Sequence, residues 1–445
     1  MLKTLIKKEL LQQIQTQKFI ISTAISLVLM LLAVHISTEQ YEKKLELYRQ
    51  ATTGQQKELE RLKATKRGEN AYAKSEMIYR KPTPLSIFCQ GKENSFGGAA
   101  SVGGYFARPI GNMDDNNEYD FQEVMQKTFG EIDVILVIKL LFSLMAIFLA
   151  FDLVTREREQ ETLKLIHSNQ VSRFKVISAK WLAGVLILSV ILLLGFIFSL
   201  LYLQLVPKII FEKVELFRLF LLFSVSLIYL LIFFQTALLF SCIVRSSQLS
   251  LVCLFLIWAF SIFIIPNLAT ISGKYLSPVP PMDYVFDNRS VDDEKVRAVN
   301  QHFINQLQAQ RQKIVSFSYL SPSAVFEFAA EFLASTSVAD YDRFMNQVHF
   351  ISEKWREIQL HSHSEEIVGE SKIFKIIKLD FSDLKKDNIQ KVTLLFNGSI
   401  DNNRLPLKIG LVRAIPLAGW FIILNCLLFL FIVWYYERHT KIVRE

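Results

Sequence analysis

The chain has 445 residues, 51% hydrophobic and 21% charged, with a formal net charge of +8 and a mean hydropathy of +0.29. A soluble protein with that share of charge is not this apolar unless its apolar residues are segregated into runs, and so small a surplus of positive charge gives no indication of nucleic acid as a partner. Cys242, Cys253 and Cys426 lie in or beside apolar runs and Cys89 stands alone in a hydrophilic stretch, which excludes a disulfide framework as the organising principle.

Residues 1–18 set Leu2, Leu5, Ile6, Leu10 and Ile14 at helical spacing with Lys and Gln opposite. This is the pattern of a short amphipathic helix lying in a membrane surface; the alternative is a helical extension of the first span. Crossing hydrocarbon roughly 30 Å thick takes about 20 mostly apolar residues, and a helix is the open-chain form that satisfies its own backbone there. Six runs qualify: 19–36, 132–153, 181–206, 216–243, 248–269 and 413–436. The first follows a charged lead and ends in VHISTEQ without a small-residue cleavage pattern, so it reads as a retained anchor rather than a signal peptide.

Between the first two spans, residues 37–131 form one hydrophilic domain. Tyr41, Leu45, Tyr48, Leu59 and Leu62 share a heptad-like seam and predict a helix projecting from the membrane, while the Gly- and Asn-rich GKENSFGGAASVGG and GNMDDNNEYD predict solvated connectors. Lys139 sits a few residues inside the second span, either as a functional intramembrane charge or as a side chain that snorkels to the interface. Pro266-Asn267, near the end of the fifth span, marks a bent or re-entrant helix or a simple helix stop. Residues 270–412 form a second hydrophilic domain. It reads as a helix starting near Ser290, Asp292 and Asp293, a break at 321–323, the helix AVFEFAAEFLAS, a third helix from Val338 to about Leu360, and short strands beyond. Within it His361 and His363, with Glu365 or Glu366, have metal-ligand chemistry, though an exposed linker has the same composition.

Lys and Arg orient the spans. Lys3, Lys7, Lys8 and Lys18 in the lead, Arg156, Arg158, Lys164, Arg173, Lys175 and Lys180 between spans two and three, Arg245 between spans four and five, and Arg438, Lys441 and Arg444 in the tail 437–445 all fall on one side. The expectation is an all-α polytopic membrane protein with six transmembrane helices, both termini cytoplasmic and two mainly helical extracytoplasmic domains.

The loop 154–180 is then cytoplasmic, and its order is informative. Asp152 ends the second span; REREQETLKLI follows as an amphipathic helix, a turn at SNQVS comes next, and RFKVISAKWLAG feeds into the third span. A short helix rooted in two spans is a suitable lever, since force on it moves both. No GxxxxGK[ST] loop, GxSxG elbow or HExxH pair occurs, so this chain carries none of the motifs for phosphate cradling, serine catalysis or zinc hydrolysis.

Read from Asp152 to Lys180, D-x-x-x-R-E-R-E-x-x-T-L-K-L-x-x-S-N-x-V-S-R-x-x-V-x-x-A-K resembles the cytoplasmic loop of type-2 ABC transporter permeases. The lead, the six-span layout and IPNLAT at the end of the fifth span support it, and YLSPSAVFEFAAEFLA resembles a bacterial branch with two large outer domains. The resemblance implies an inner-membrane exporter subunit that is not itself an enzyme and binds no cofactor directly. ATP would act through a partner ABC ATPase, and the permease would work in membrane lipid as a homodimer or with a second similar permease. It further implies that Arg156, Glu157, Arg158 and Glu159 make charged contacts with the ATPase, next to Thr162, and that Leu163 and Leu165 fill apolar pockets on it. One departure is Glu161, where the family usually has Gly; the helix is expected to bend less easily there. A second reading, from the large outer domains and the lack of polar residues lining the spans, is an ATPase-driven device that transmits motion to envelope partners without moving a substrate.

Overall fold

The computed structural model describes residues 2–64, 76–91, 99–103, 106–110, 132–162, 172–206, 209, 211–279, 293–348 and 407–439. In chain order, α1 is Leu2–Ile14 and α2 Gln17–Ala64. The chain turns sharply between them, where Thr16 Oγ1 donates to the Gln13 carbonyl at 2.7 Å. The lead is therefore a separate helix, not an extension of the first span. It packs on the third span with Glu9 and Gln13 inward, while Leu2, Leu11 and Ile14 face out.

The second span is α3, whose α-helical parts Val134–Val137 and Ser143–Ala150 are joined by a π-turn at Ile138–Phe142. Asp133 caps it, taking the Leu136 amide on Oδ1 at 2.7 Å and the Gln90 amide on Oδ2 at 2.9 Å. The short helix α4 (Thr155–Glu159) follows, then α5 (Arg173–Gln204), α6 (Lys213–Ile243) and α7, which runs as Ser247–Ala259 and Ile265–Leu276 about a π-turn at Phe260–Ile264. Beyond them come α8 (Asp293–Ser318), α9 (Pro322–Ala334), a helix over 338–348 and α10 (Leu407–His439). Among the described residues, six helices are long and apolar enough to span a membrane: Gln17–Gly54, Val134–Glu159, Arg173–Gln204, Lys213–Ile243, Ser247–Leu276 and Val412–Arg438. The protein is a polytopic, predominantly α-helical membrane protein.

Pro266 neither stops nor reverses α7. The π-turn makes the Ile265 amide bond to the Phe260 carbonyl, which leaves the Ser261 carbonyl without its usual donor; the next residue that could serve it is Pro266, which has no N–H. Ser321 Oγ at 2.6 Å and Ser323 Oγ at 3.2 Å supply the missing donors from the start of α9. The SPS break thus both begins one helix and repairs another.

The Gly-rich stretch after α2 differs from the expected connector. β1 (Glu76–Tyr79), β2 (Ala99–Gly103) and β3 (Phe106–Ile110) form an antiparallel sheet in the order β1-β2-β3, with Ile78 opposite Ala100 and Ala100 opposite Pro109. Small residues lower strand propensity, but backbone pairing between three strands outweighs it. Between β1 and β2 the chain clasps the end of α9. The Arg80 guanidinium donates to the Ser335 carbonyl at 3.2 Å and Thr83 Oγ1 to the Ala334 carbonyl at 3.3 Å. Gly91, at φ +56°, passes so close to Thr336 that a Cβ would lie 2.7 Å from its Oγ1, so only glycine fits there.

The bundle core centres on α6. Tyr229 stacks on Phe326 of α9 with centroids 4.3 Å apart, and Phe421 of α10 meets it edge-on. Helix α9 is thereby wedged between α6 and α10 at one end of the bundle. Where α5 crosses α6, a Cβ on Gly184 would sit 1.9 Å from the Phe234 ring; the ring packs against the α5 backbone only because glycine has no side chain there.

Candidate functional site

Helix α4 is five residues long, and each of its charged residues engages a different part of the bundle. Arg158 turns back onto the end of α6, donating to the Val244 carbonyl at 3.0 Å and the Cys242 carbonyl at 2.9 Å. Those carbonyls are the acceptors a helix C-terminus leaves unpaired, and a guanidinium there also opposes the helix dipole. Glu159 does the converse at the start of α7, accepting from the Ser247 amide and hydroxyl, both at 2.8 Å. One Arg-Glu dipeptide therefore caps both sides of the turn between spans four and five. Ser241 fixes the start of α4 from α6, its Oγ accepting from the Val154 amide at 2.8 Å and the Thr155 amide at 3.2 Å.

Glu157 points inward. It is 5% exposed, and its Oε1 lies 2.7 Å from Lys180 Nζ; Lys180 is itself 1% exposed and reaches Glu9 of α1 at 3.1 Å. The triad Glu9–Lys180–Glu157 joins α1, the base of α5 and α4 with one cation between two carboxylates. Glu157 Oε2 has no hydrogen-bond partner among the described residues. Arg156 lies 3.9 Å from Asp152, which also binds Lys18 of α2 at 2.5 Å. Thr162 Oγ1 donates to the Glu157 carbonyl at 3.2 Å.

These contacts refine the expectation that the four charges face a partner: Glu157 is buried and Arg158 is engaged within the chain, while Glu159 stays exposed beside its bonds to Ser247. A charge beside unpaired helix ends and an opposite charge gains more from pairing within the chain than from waiting in solvent. Among the described residues of this loop, Glu159-Gln160-Glu161 are exposed after α4, and Ser172, Phe174 and Lys175 are exposed where α5 begins. Leu163 and Leu165 lie outside the described residues.

Glu161 corrects a second expectation. Its φ of +56° is left-handed, the conformation glycine adopts without strain and other residues adopt at a cost. The chain bends there in spite of the side chain: α4 ends at Glu159, and the Glu161 amide makes a turn bond to the Arg158 carbonyl at 3.2 Å.

Lys139 is paired within the chain. Its Nζ meets Glu327 Oε2 of α9 at 2.8 Å, and its carbonyl accepts from Tyr229 Oη at 3.0 Å. It lies in the π-turn of α3, where Ser143 Oγ donates back to its carbonyl at 2.6 Å and accepts from Trp258 Nε1 of α7 at 2.8 Å. Deeper in the bundle is a polar cluster that the apolar span sequences conceal. Asn425 Nδ2 donates to the Ile228 and Phe421 carbonyls, and the Gln235 side chain lies between Trp181 Nε1 and the Asn425 carbonyl, bridging the two when its amide oxygen is turned to the indole. Its sequence signal was single Gln and Asn residues inside spans. No group of three potential metal ligands occurs among the described residues, and His361, His363, Glu365 and Glu366 lie outside them.

A six-span bundle with a structured charged loop between its second and third spans agrees with a comparison to known families: the family model described as ABC-2 family transporter protein matches residues 3–360. The chain belongs to the ABC-2 transporter family. No curated protein matches it. As an ABC-2 protein it is a multi-pass membrane transport subunit, of a family whose members normally partner with a separate ABC ATPase. The match takes in α1 through α9 and thus the whole loop around α4; α10 lies beyond it.

Proposed function

We propose that this chain is the permease subunit of an ABC-type exporter in a bacterial inner membrane, coupled through residues 154–180 to a separate ATP-hydrolysing subunit. The observation that carries the reading is that α4 is bonded to the ends of α6 and α7, to the base of α5 and, through Lys180, to α1. A push on so short a helix cannot be absorbed locally and is passed to at least three spans and α1. The ATPase contact falls on the exposed Glu159-Gln160-Glu161 tip and the residues that follow it, while the inward charges transmit the force. The loop is cytoplasmic in this reading, and the β-sheet and α8–α9 lie on the outer side. The pathway forms with a second copy or a similar permease.

Reconstitution with the cognate ATPase tests it. Gln160→Arg combined with Glu161→Arg is expected to abolish co-purification of the ATPase and stimulated hydrolysis while leaving thermal stability within about 0.5 kcal/mol, as for surface changes generally. Full ATPase binding by that variant overturns the assigned contact. A mechanical device acting on envelope partners is the second reading, favoured by α2, one unbroken 48-residue helix running from the lever end through the first span and beyond. Hydrolysis stimulated by an envelope protein rather than by a transported substrate would decide for it.

A further inference from the structure

Helix α6 runs its 31 residues without a glycine, a proline or a π-turn, whereas α3 and α7 break at π-turns and α10 contains Pro416. Prolines and π-turns are where helices bend, so α6 is built to move as one body. At about 1.5 Å per residue, Arg218 and Ser241 lie about 35 Å apart along it, enough to cross the hydrocarbon. One end is bonded to the charged loop. Ser241 Oγ accepts from the Val154 and Thr155 amides, and Arg158 donates to the Cys242 and Val244 carbonyls. The other end carries Arg218, which is 6% exposed and donates to the Ser335 hydroxyl at the end of α9.

Ser335 closes α9 in the left-handed conformation, at φ +60°, where glycine is the easy residue and a serine is strained. Its hydroxyl accounts for the strain, because glycine there would deprive the Arg218 guanidinium of that acceptor. The Ser335 carbonyl is taken by a second buried guanidinium, Arg80 at 3.2 Å, and the neighbouring Ala334 carbonyl by Thr83 Oγ1. One buried residue thus receives α6 on its side chain and the segment after β1 on its backbone. Both bonds come from charged donors, which hold about twice as strongly as neutral ones. Midway along, the Tyr229–Phe326 stack keeps α6 and α9 in register. We propose that α6 is a transmission rod: displacement of the charged loop moves α6 as a unit, and Ser335 passes that movement to segment 80–91 at the opposite end of the bundle. The proposal rests on the reading of residues 154–180 as the coupling loop, and adds to it the route across the membrane and the joint at its far end.

The full-length protein, reconstituted in lipid nanodiscs with its cognate ATPase, would be followed by hydrogen exchange in the nucleotide-free state and after trapping with ATP and vanadate. Exchange over 155–162 reports the loop, and exchange over 76–90 reports the far end. In the wild type both are expected to change on trapping, the far end by about fivefold or more, as for coupled distant sites. Ser335→Gly keeps the left-handed turn without strain and removes only the hydroxyl. It is expected to preserve the change over 155–162 and to reduce that over 76–90 to less than about twofold, a loss of most of the coupling. Arg218→Gln is expected to do the same. A far-end change that survives in either folded variant, or a wild type whose loop responds while 76–90 does not, overturns the proposal. A wild-type loop that does not respond at all overturns the coupling reading and this route together.

Discussion

At the scale of single residues, two positions concentrate the energetics of the charged loop. Glu161 holds a left-handed backbone. Replacing it with Gly removes the side-chain strain and returns some chain entropy to the unfolded state, for a net gain of about 0.5–1 kcal/mol, whereas Glu161→Val is expected to cost roughly 1–2 kcal/mol. Hydrogen exchange over 155–162 would report the change as slower or faster opening of the loop. Lys180 is the other. Its removal leaves Glu9 and Glu157 buried with no cation between them, so Lys180→Met is expected to destabilise by about 3–5 kcal/mol, while Lys180→Met combined with Glu9→Gln and Glu157→Gln recovers most of that loss. Thermal unfolding of the wild type and the two variants would check both signs. The RERE pattern was legible in the sequence as a charged helix. Which of its charges point inward was not, because Arg158 and Glu159 find partners about 85 residues away in the chain, at Cys242, Val244 and Ser247.

At the scale of elements, the break at 321–323 was legible as the start of a helix, since Ser followed by Pro is a common opening. Its second duty was not legible. Ser321 and Ser323 serve the Ser261 carbonyl, 60 residues earlier, because a π-turn and Pro266 together strip that carbonyl of its backbone donor. Ser321→Ala with Ser323→Ala is expected to cost about 2–4 kcal/mol, the sum of one orphaned carbonyl and one lost N-cap, and Ser323→Ala alone less than 1 kcal/mol. Melting temperatures in detergent measure the difference, and near-equal single and double variants would refute the assignment. The β1-β2-β3 sheet shows the opposite limit. Gly, Ala and Ser in AASVG carry little strand preference, so the strands come from pairing with partners that the local sequence does not announce.

For the whole molecule, the large question is what ties the elements beyond the spans to the bundle. Lys139 of α3 and Glu327 of α9 make one such tie, next to the Tyr229–Phe326 stack. The pair is partly exposed, so a double-mutant cycle of Lys139→Met and Glu327→Gln is expected to give a coupling energy of about 1 kcal/mol in stability. A larger effect on coupled ATP hydrolysis than on Tm would show that α9 moves against the bundle during the cycle; parallel losses would show that the tie only holds the fold.

The six spans and the charged loop were determined by the sequence alone, whereas the structure decided that the lead is a separate helix. Apolar length and charge spacing are local properties, and a membrane imposes a fixed length and full backbone satisfaction on whatever crosses it. The family resemblance lay in the same local pattern, from Asp152 to Lys180. Tertiary structure decided the rest: that Glu157 is buried against Lys180, that Glu161 bends where glycine would be easier, and that α7 passes through Pro266. Each depends on groups far apart in the chain meeting where water is excluded. There an unpaired charge or carbonyl costs several times what it does in solvent, and that cost selects the partner.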